Sequence, residues 1–265
     1  MLYSVASYAV KFEKNKKREE PVGDLDFSGK TALVVGGSSG IGNGIAHALK
    51  DRGAEVHVWG TRKTAEDYDD VEGSDLSGLK YGQMDVSDFD AINNYAPAFD
   101  KLDILVLSQG TVVYSRGEFE MPGWMKVIDT NLNSLMACAA KFHDMLAQSH
   151  GSMVIISSTA GYHATKGNPA YNASKTGALG LTRTLGQAWA GEGIRVNGVA
   201  PGLVDTKLTK VTTENPKRRE ATIATIPQGR LGTPGDIAGA VLYLVSPLAS
   251  YVVGQTIVVD GGLIL

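Results

Sequence analysis

The chain has 265 residues, 43% hydrophobic and 20% charged, with 25 basic against 28 acidic side chains and a net charge of -3. That size and balance fit one large α/β domain with a sizeable core, and exclude the basic surplus that nucleic acid or an anionic membrane would require. A single cysteine, Cys138, allows no internal disulfide, and five scattered histidines lack metal-ligand spacing, so a cytoplasmic setting and no catalytic metal are expected.

Residues 1–10 are mildly apolar but carry neither the basic flank nor the cleavage site of a secretory leader. With the charge run 11–20 (KFEKNKKREE) they form the greater part of a predicted flexible extension, 1–24. The first apolar run, 31–35 (TALVV), reads as a buried strand, and a helix is expected over 41–52, closed by Gly53. Strands follow at 55–59 and 81–84, with an acid-rich exposed segment, 64–75 (TAEDYDDVEGSD), between them. A helix over 88–99 and a strand over 104–107 (ILVL) come next. Residues 122–148 predict one long helix with proline near its start, placing Cys138 among alanines as an inert buried thiol. A strand at 153–156, a helix at 170–190 and a strand at 195–199 follow. The connection 203–228, punctuated by Pro216 and Pro227, reads as a mobile lid. A helix from Thr233 or Pro234 to about 244 and a strand over 256–259 (TIVV) close the chain. No apolar run reaches the ~18–20 residues needed to span a bilayer.

Strands that are apolar on both faces, separated by helices, define a parallel sheet covered on both sides. Right-handed crossovers then make it doubly wound. The expected fold is one Rossmann domain over 25–265, with seven parallel strands and helices on both faces.

Directly after the first strand stands Gly36-Gly37-Ser38-Ser39-Gly40-Ile41-Gly42. Glycines let backbone approach a pyrophosphate, whose charge sits at a positive helix end. Farther on, Tyr171-Asn172-Ala173-Ser174-Lys175 contains Tyr-x-x-x-Lys, which puts both functional side chains on one helix face. A phenol titrates too high for acid–base work near neutrality, and a neighbouring ammonium lowers it. Ser158 ends a strand thirteen residues upstream of Tyr171, where its hydroxyl could hold a substrate oxygen. Asn131 lies mid-helix although asparagine is a poor helix former.

Together these motifs resemble the short-chain dehydrogenase/reductase family, in a form similar to the 3-oxoacyl-carrier-protein reductases. The likeness covers 25–265. Gly37, Gly40 and Gly42 are taken as the three glycines of its Thr-Gly-x-x-x-Gly-x-Gly signature, with Gly36 in the threonine place. Ser39 and Ile41 belong to the same cofactor turn. The resemblance implies that Ser158, Tyr171 and Lys175 are catalytic, and that Asn131 anchors a water in a proton relay through Lys175. It further implies cofactor contacts from Asp85 and Val86 beside the adenine, from Gly110, and from Pro201, Gly202, Val204 and Thr206 around the nicotinamide. Leu107-Ser108-Gln109-Gly110 departs from the family's usual Asn-Asn-Ala-Gly.

The implied activity is hydride transfer between a nicotinamide cofactor and an alcohol or ketone. A nucleotide-binding regulator without turnover, or a lyase or epimerase, would not need all four catalytic positions or would need a longer C-terminal domain. Gly60 replaces the acid that NAD sites place at the end of the second strand, and Thr61 and Arg62 follow, which favours NADP(H) and leaves NAD(H) open. Apolar helix surfaces and the C-terminal Leu263-Ile264-Leu265 point to a homotetramer, or else a homodimer.

Overall fold

The computed structural model describes residues 23–265, so the predicted N-terminal extension lies outside it apart from Gly23 and Asp24. The strands are β1 (Thr31–Val35), β2 (Glu55–Gly60), β3 (Lys80–Gln83), β4 (Ile104–Leu107), β5 (Ser152–Ile156), β6 (Arg195–Pro201) and β7 (Thr256–Val259). They form one sheet in the order β3-β2-β1-β4-β5-β6-β7, every pair parallel. The helices are α1 (Gly40–Lys50), α2 (Phe89–Asn94), α3 (Met121–Ile128), α4 (Ser134–Ser149), α5 (Pro169–Trp189), α6 (Lys210–Thr213), α7 (Pro216–Ile223) and α8 (Pro234–Val245).

Alternate residues of the central strands feed two cores. Val34, Val58, Val106 and Val154, paired across the sheet, join Ile45 and Leu49 of α1 and Val241 of α8 on one face. Leu33, Leu105 and Met153 join Phe142 of α4 and Ala178 and Leu185 of α5 on the other. The strands are apolar on both sides because both sides are covered. Cys138 is buried in the second core, and burial pushes its thiol up to about 12, which fits an inert role.

Three expected elements differ. The helix over 88–99 stops at Asn94, because Pro97 lacks an N–H and drives the residue before it out of helical geometry. The long helix over 122–148 is two helices joined by a π-helical turn, Asp129–Asn133. The connection 203–228, expected as a lid with no helix named in it, carries α6 and α7.

Candidate active site

The strand order reverses between β1 and β4, and a cleft opens beyond the C-terminal strand ends at that switch point. Its floor begins at the glycine turn. Gly36 has φ +75°, and a Cβ there would lie 2.8 Å from the Gln109 backbone nitrogen. A side chain at Gly42 would run into the Gly36 carbonyl. These contacts correct the register of the signature: counted back from Gly40 and Gly42, its first glycine is Gly36, and Val35 takes the threonine place. Gly37 faces away from the cleft, where a Cβ would stand 2.7 Å from the Val58 side chain. The first turn of α1 holds no acidic residue, so its positive end favours an anion.

The cleft has a volume of about 530 Å³. Ser39, Gly40, Ile41, Gly42, Thr61, Arg62, Asp85, Val86, Gly110, Ser158, Tyr171, Lys175, Pro201, Gly202, Val204 and Thr206 all line it. Gly37 and Asn131 do not. Asn131 is fully buried behind the wall. Its Oδ1 accepts from Thr111 N (2.7 Å), and its Nδ2 donates to Thr111 O (2.9 Å) and Ser174 Oγ (3.2 Å). Gly110 lies between the two buried groups: a Cβ there would be 3.6 Å from Lys175 Nζ and 3.8 Å from Asn131 Oδ1.

The π turn is what aims Asn131 inward, by adding a residue to the helical repeat. Pro169 opens α5 two residues before Tyr171, so the phenol and ammonium project from its first turns on one face. Ser158 Oγ accepts from Ala160 N (3.1 Å), and its hydroxyl favours the charged form of the Tyr171 phenol. Lys175 Nζ donates to Ile156 O (3.0 Å) and lies 5.7 Å from the centre of the Tyr171 ring.

The expected lowering of Tyr171 by Lys175 is not found. Burial raises the phenol above its ordinary value, and the hydrogen bond from Ser158 is the contact that opposes it. Burial also pulls the Lys175 ammonium down to about 8. Burial thus desolvates both side chains.

At the other end of the cleft, Arg62 lies 4.9 Å over the Tyr68 ring and donates to Asp67 O. The Tyr68 hydroxyl accepts from Thr61 N (3.1 Å) and Arg62 N (3.3 Å). Burial pushes this phenol up, but hydrogen bonds from Ser38 and the Arg62 backbone outweigh it and leave it lowered. Tyr68 therefore occupies the space beside side-chain-less Gly60, a role the sequence did not signal because it arrives on an irregular connection. The same connection crosses the glycine turn, where Gly40 N donates to Gly73 O (2.8 Å). Asp85 is held below the usual carboxylate range by bonds from the Ser87 hydroxyl (2.7 Å) and amide (2.9 Å). Among the described residues, no three His, Cys, Asp or Glu side chains gather as a metal site.

Residues 35–264 match the family model described as enoyl-(acyl carrier protein) reductase. The chain is 36% identical over 248 residues to a 3-oxoacyl-[acyl-carrier-protein] reductase of Chlamydia muridarum, covering 88% of this chain and 97% of the relative. It is 38% identical over 249 residues to a 2-dehydro-3-deoxy-D-gluconate 5-dehydrogenase of Pseudoalteromonas atlantica, covering 90% and 97%. Among solved structures, a putative NAD(P)-dependent gluconate 5-dehydrogenase of Beutenbergia cavernae with bound NADP superimposes with a TM-score of 0.81 at 33% identity, covering 91% of this chain and 99% of that one. The chain belongs to the short-chain dehydrogenase/reductase family. Within it, the chain is an NAD(P)-dependent oxidoreductase acting on hydroxyl or keto groups.

Proposed function

We propose that the chain interconverts a ketone and its secondary alcohol with NADP(H), using Tyr171 as proton donor or acceptor. The observation that carries this reading is the convergence of Ser158, Tyr171 and Lys175 on one wall of the cleft whose floor is the Gly36–Gly42 turn. The glycine cradle, the acid-free start of α1 and the cation over Tyr68 fit a dinucleotide with a 2′-phosphate. When bound, that cofactor supplies or accepts the hydride.

The protein's own groups then have separate tasks. Ser158 orients the substrate oxygen beside the Tyr171 phenol. In reduction the phenol gives that oxygen its proton, and in oxidation the phenolate takes the proton back. Lys175 holds positive charge against the developing phenolate and would hold the ribose of a bound cofactor. Asn131 fixes the wall through which a water can resupply the proton. Asp85 and Val86 would hold the adenine of a bound cofactor, and Pro201, Gly202, Val204 and Thr206 its nicotinamide.

The segment 203–228 acts as a lid. Tyr114 reaches across the substrate side to Leu208 O (2.5 Å), and Lys210 pairs with Glu72 (2.9 Å) across the cofactor mouth. The working form is a homotetramer or homodimer in the cytoplasm.

The test follows oxidation of NADPH, then NADH, with a panel of 3-oxoacyl thioesters and keto sugar acids suggested by the relatives. Tyr171→Phe should lower turnover by several orders of magnitude while the variant still folds and binds NADPH. Retention of more than about a tenth of wild-type turnover would remove Tyr171 from the acid–base role.

A further inference from the structure

Glu118 lies outside every motif described above, yet it is a charged side chain buried to 1% exposure. Its Oε2 accepts from the backbone N–H of Tyr171 (2.9 Å). Its Oε1 accepts from the backbone N–H of Val113 (3.1 Å) and from Asn168 Nδ2 (3.2 Å). Among the described residues no cation pairs with it; the neighbouring Arg116 is turned onto Phe119, 4.6 Å away. A buried, unpaired carboxylate is costly and persists where several donors hold it.

All three partners are N–H donors. A carboxylate accepts at both oxygens, whereas a glutamine would turn an NH2 group against at least one of these donors. The three donors belong to three segments around the substrate side of the cleft: the loop after β4, the loop before α5, and the first turn of α5. Tyr171 is the third residue of α5, so the carboxylate also satisfies an otherwise unpaired amide at a positive helix end.

We infer that Glu118 is a positioning residue, whose buried carboxylate fixes the Tyr171 backbone and the substrate-side loop against each other. The inference rests on the acid–base reading of Tyr171. Four polar or charged groups surround Tyr171: Ser158, Tyr114, Glu118 and the Lys175 ammonium. Of these, Ser158 favours the phenolate by hydrogen bonding, while Tyr114 and Glu118 oppose it. Glu118 thus acts on Tyr171 in two ways, through its backbone and through its field.

The field separates this role from a purely structural one. Protein carrying [13Cζ]tyrosine is titrated by NMR, with the Tyr171 signal assigned by its absence in Tyr171→Phe. In Glu118→Gln the negative charge is gone, so the Tyr171 midpoint should fall by roughly half a unit or more. NADPH binding, followed by fluorescence, should stay within about twofold of wild type, because Glu118 does not line the cleft. An unmoved midpoint in folded Glu118→Gln overturns the proposal. Should that variant fail to fold, wild-type protein carrying [13Cδ]glutamate gives the same coupling from the other side. The Glu118 signal should then step at the Tyr171 midpoint and lose that step in Tyr171→Phe; a Glu118 signal without the step overturns the proposal. Full turnover by Tyr171→Phe would instead sink the acid–base reading, whatever either titration shows.

Discussion

At the scale of single residues, the site is built from groups that burial makes unstable. The Lys175 ammonium is drawn from 10.5 to about 8, so the folded protein releases a proton that the unfolded chain keeps until a higher pH. Between those two values stability rises with pH, and below about 8 the full cost of the buried charge is present. Lys175 offsets only part of that cost by its bond to Ile156 O. Lys175→Met should therefore raise the melting temperature of the ligand-free protein at pH 7. The advantage should shrink as pH climbs from 8 toward 10, while turnover and NADPH affinity fall. Scanning calorimetry across that range decides it: a methionine variant less stable than wild type at pH 7 would mean the ammonium's hydrogen bond outweighs its desolvation. A residue kept at the expense of stability is expected where it serves chemistry.

At the scale of elements, β1 and β4 have the bounds that their apolar runs predict, because a strand covered on both faces shows an uninterrupted apolar stretch, and β7 keeps the bounds of its apolar run as a partly exposed edge strand. Ser158, Tyr171 and Lys175 were legible for a related reason: a strand end and one helix turn carry them, so their spacing is fixed by local geometry. Tyr68 and Glu118 were not legible. Each is delivered by a 3-10 turn within an irregular connection, whose path depends on what it packs against. The π turn at Asp129–Asn133 sits between the two, since the helical pattern runs through it and Asn131 alone hints at the break. That asparagine pairs with both the N–H and the C=O of Thr111. Asn131→Ala would leave both groups without this partner inside the wall, at roughly 1–3 kcal/mol for each that finds no other. A loss of about 2–4 kcal/mol in urea-unfolding stability is expected. A loss under about 1 kcal/mol would show that water or a shifted loop replaces the amide.

At the scale of the whole molecule, the sheet is unevenly finished. β4 and β5 are buried along their whole length, and β6 at all but its first residue, yet no residue of β7 is buried. β7 is a sheet edge with unpaired backbone groups on its outer side, and its Val258 is 37% exposed. Leu265, which shares a groove with Val258, is fully exposed, so apolar side chains meet solvent where the parallel sheet ends. Parallel sheets are seldom left uncovered, and an apolar edge of this kind invites a second copy related by a two-fold axis. Light scattering at micromolar concentration should therefore give the mass of a homotetramer or, failing that, a homodimer. Placing a charge on the edge locates the contact: Val258→Asp should yield a smaller species that still binds NADPH, because Val258 does not line the cofactor cleft. A wild-type mass of one chain would remove the idea of assembly. An oligomer undisturbed by Val258→Asp would keep assembly and move the interface to another face, with the outward surfaces of α4 and α5 next to be tested.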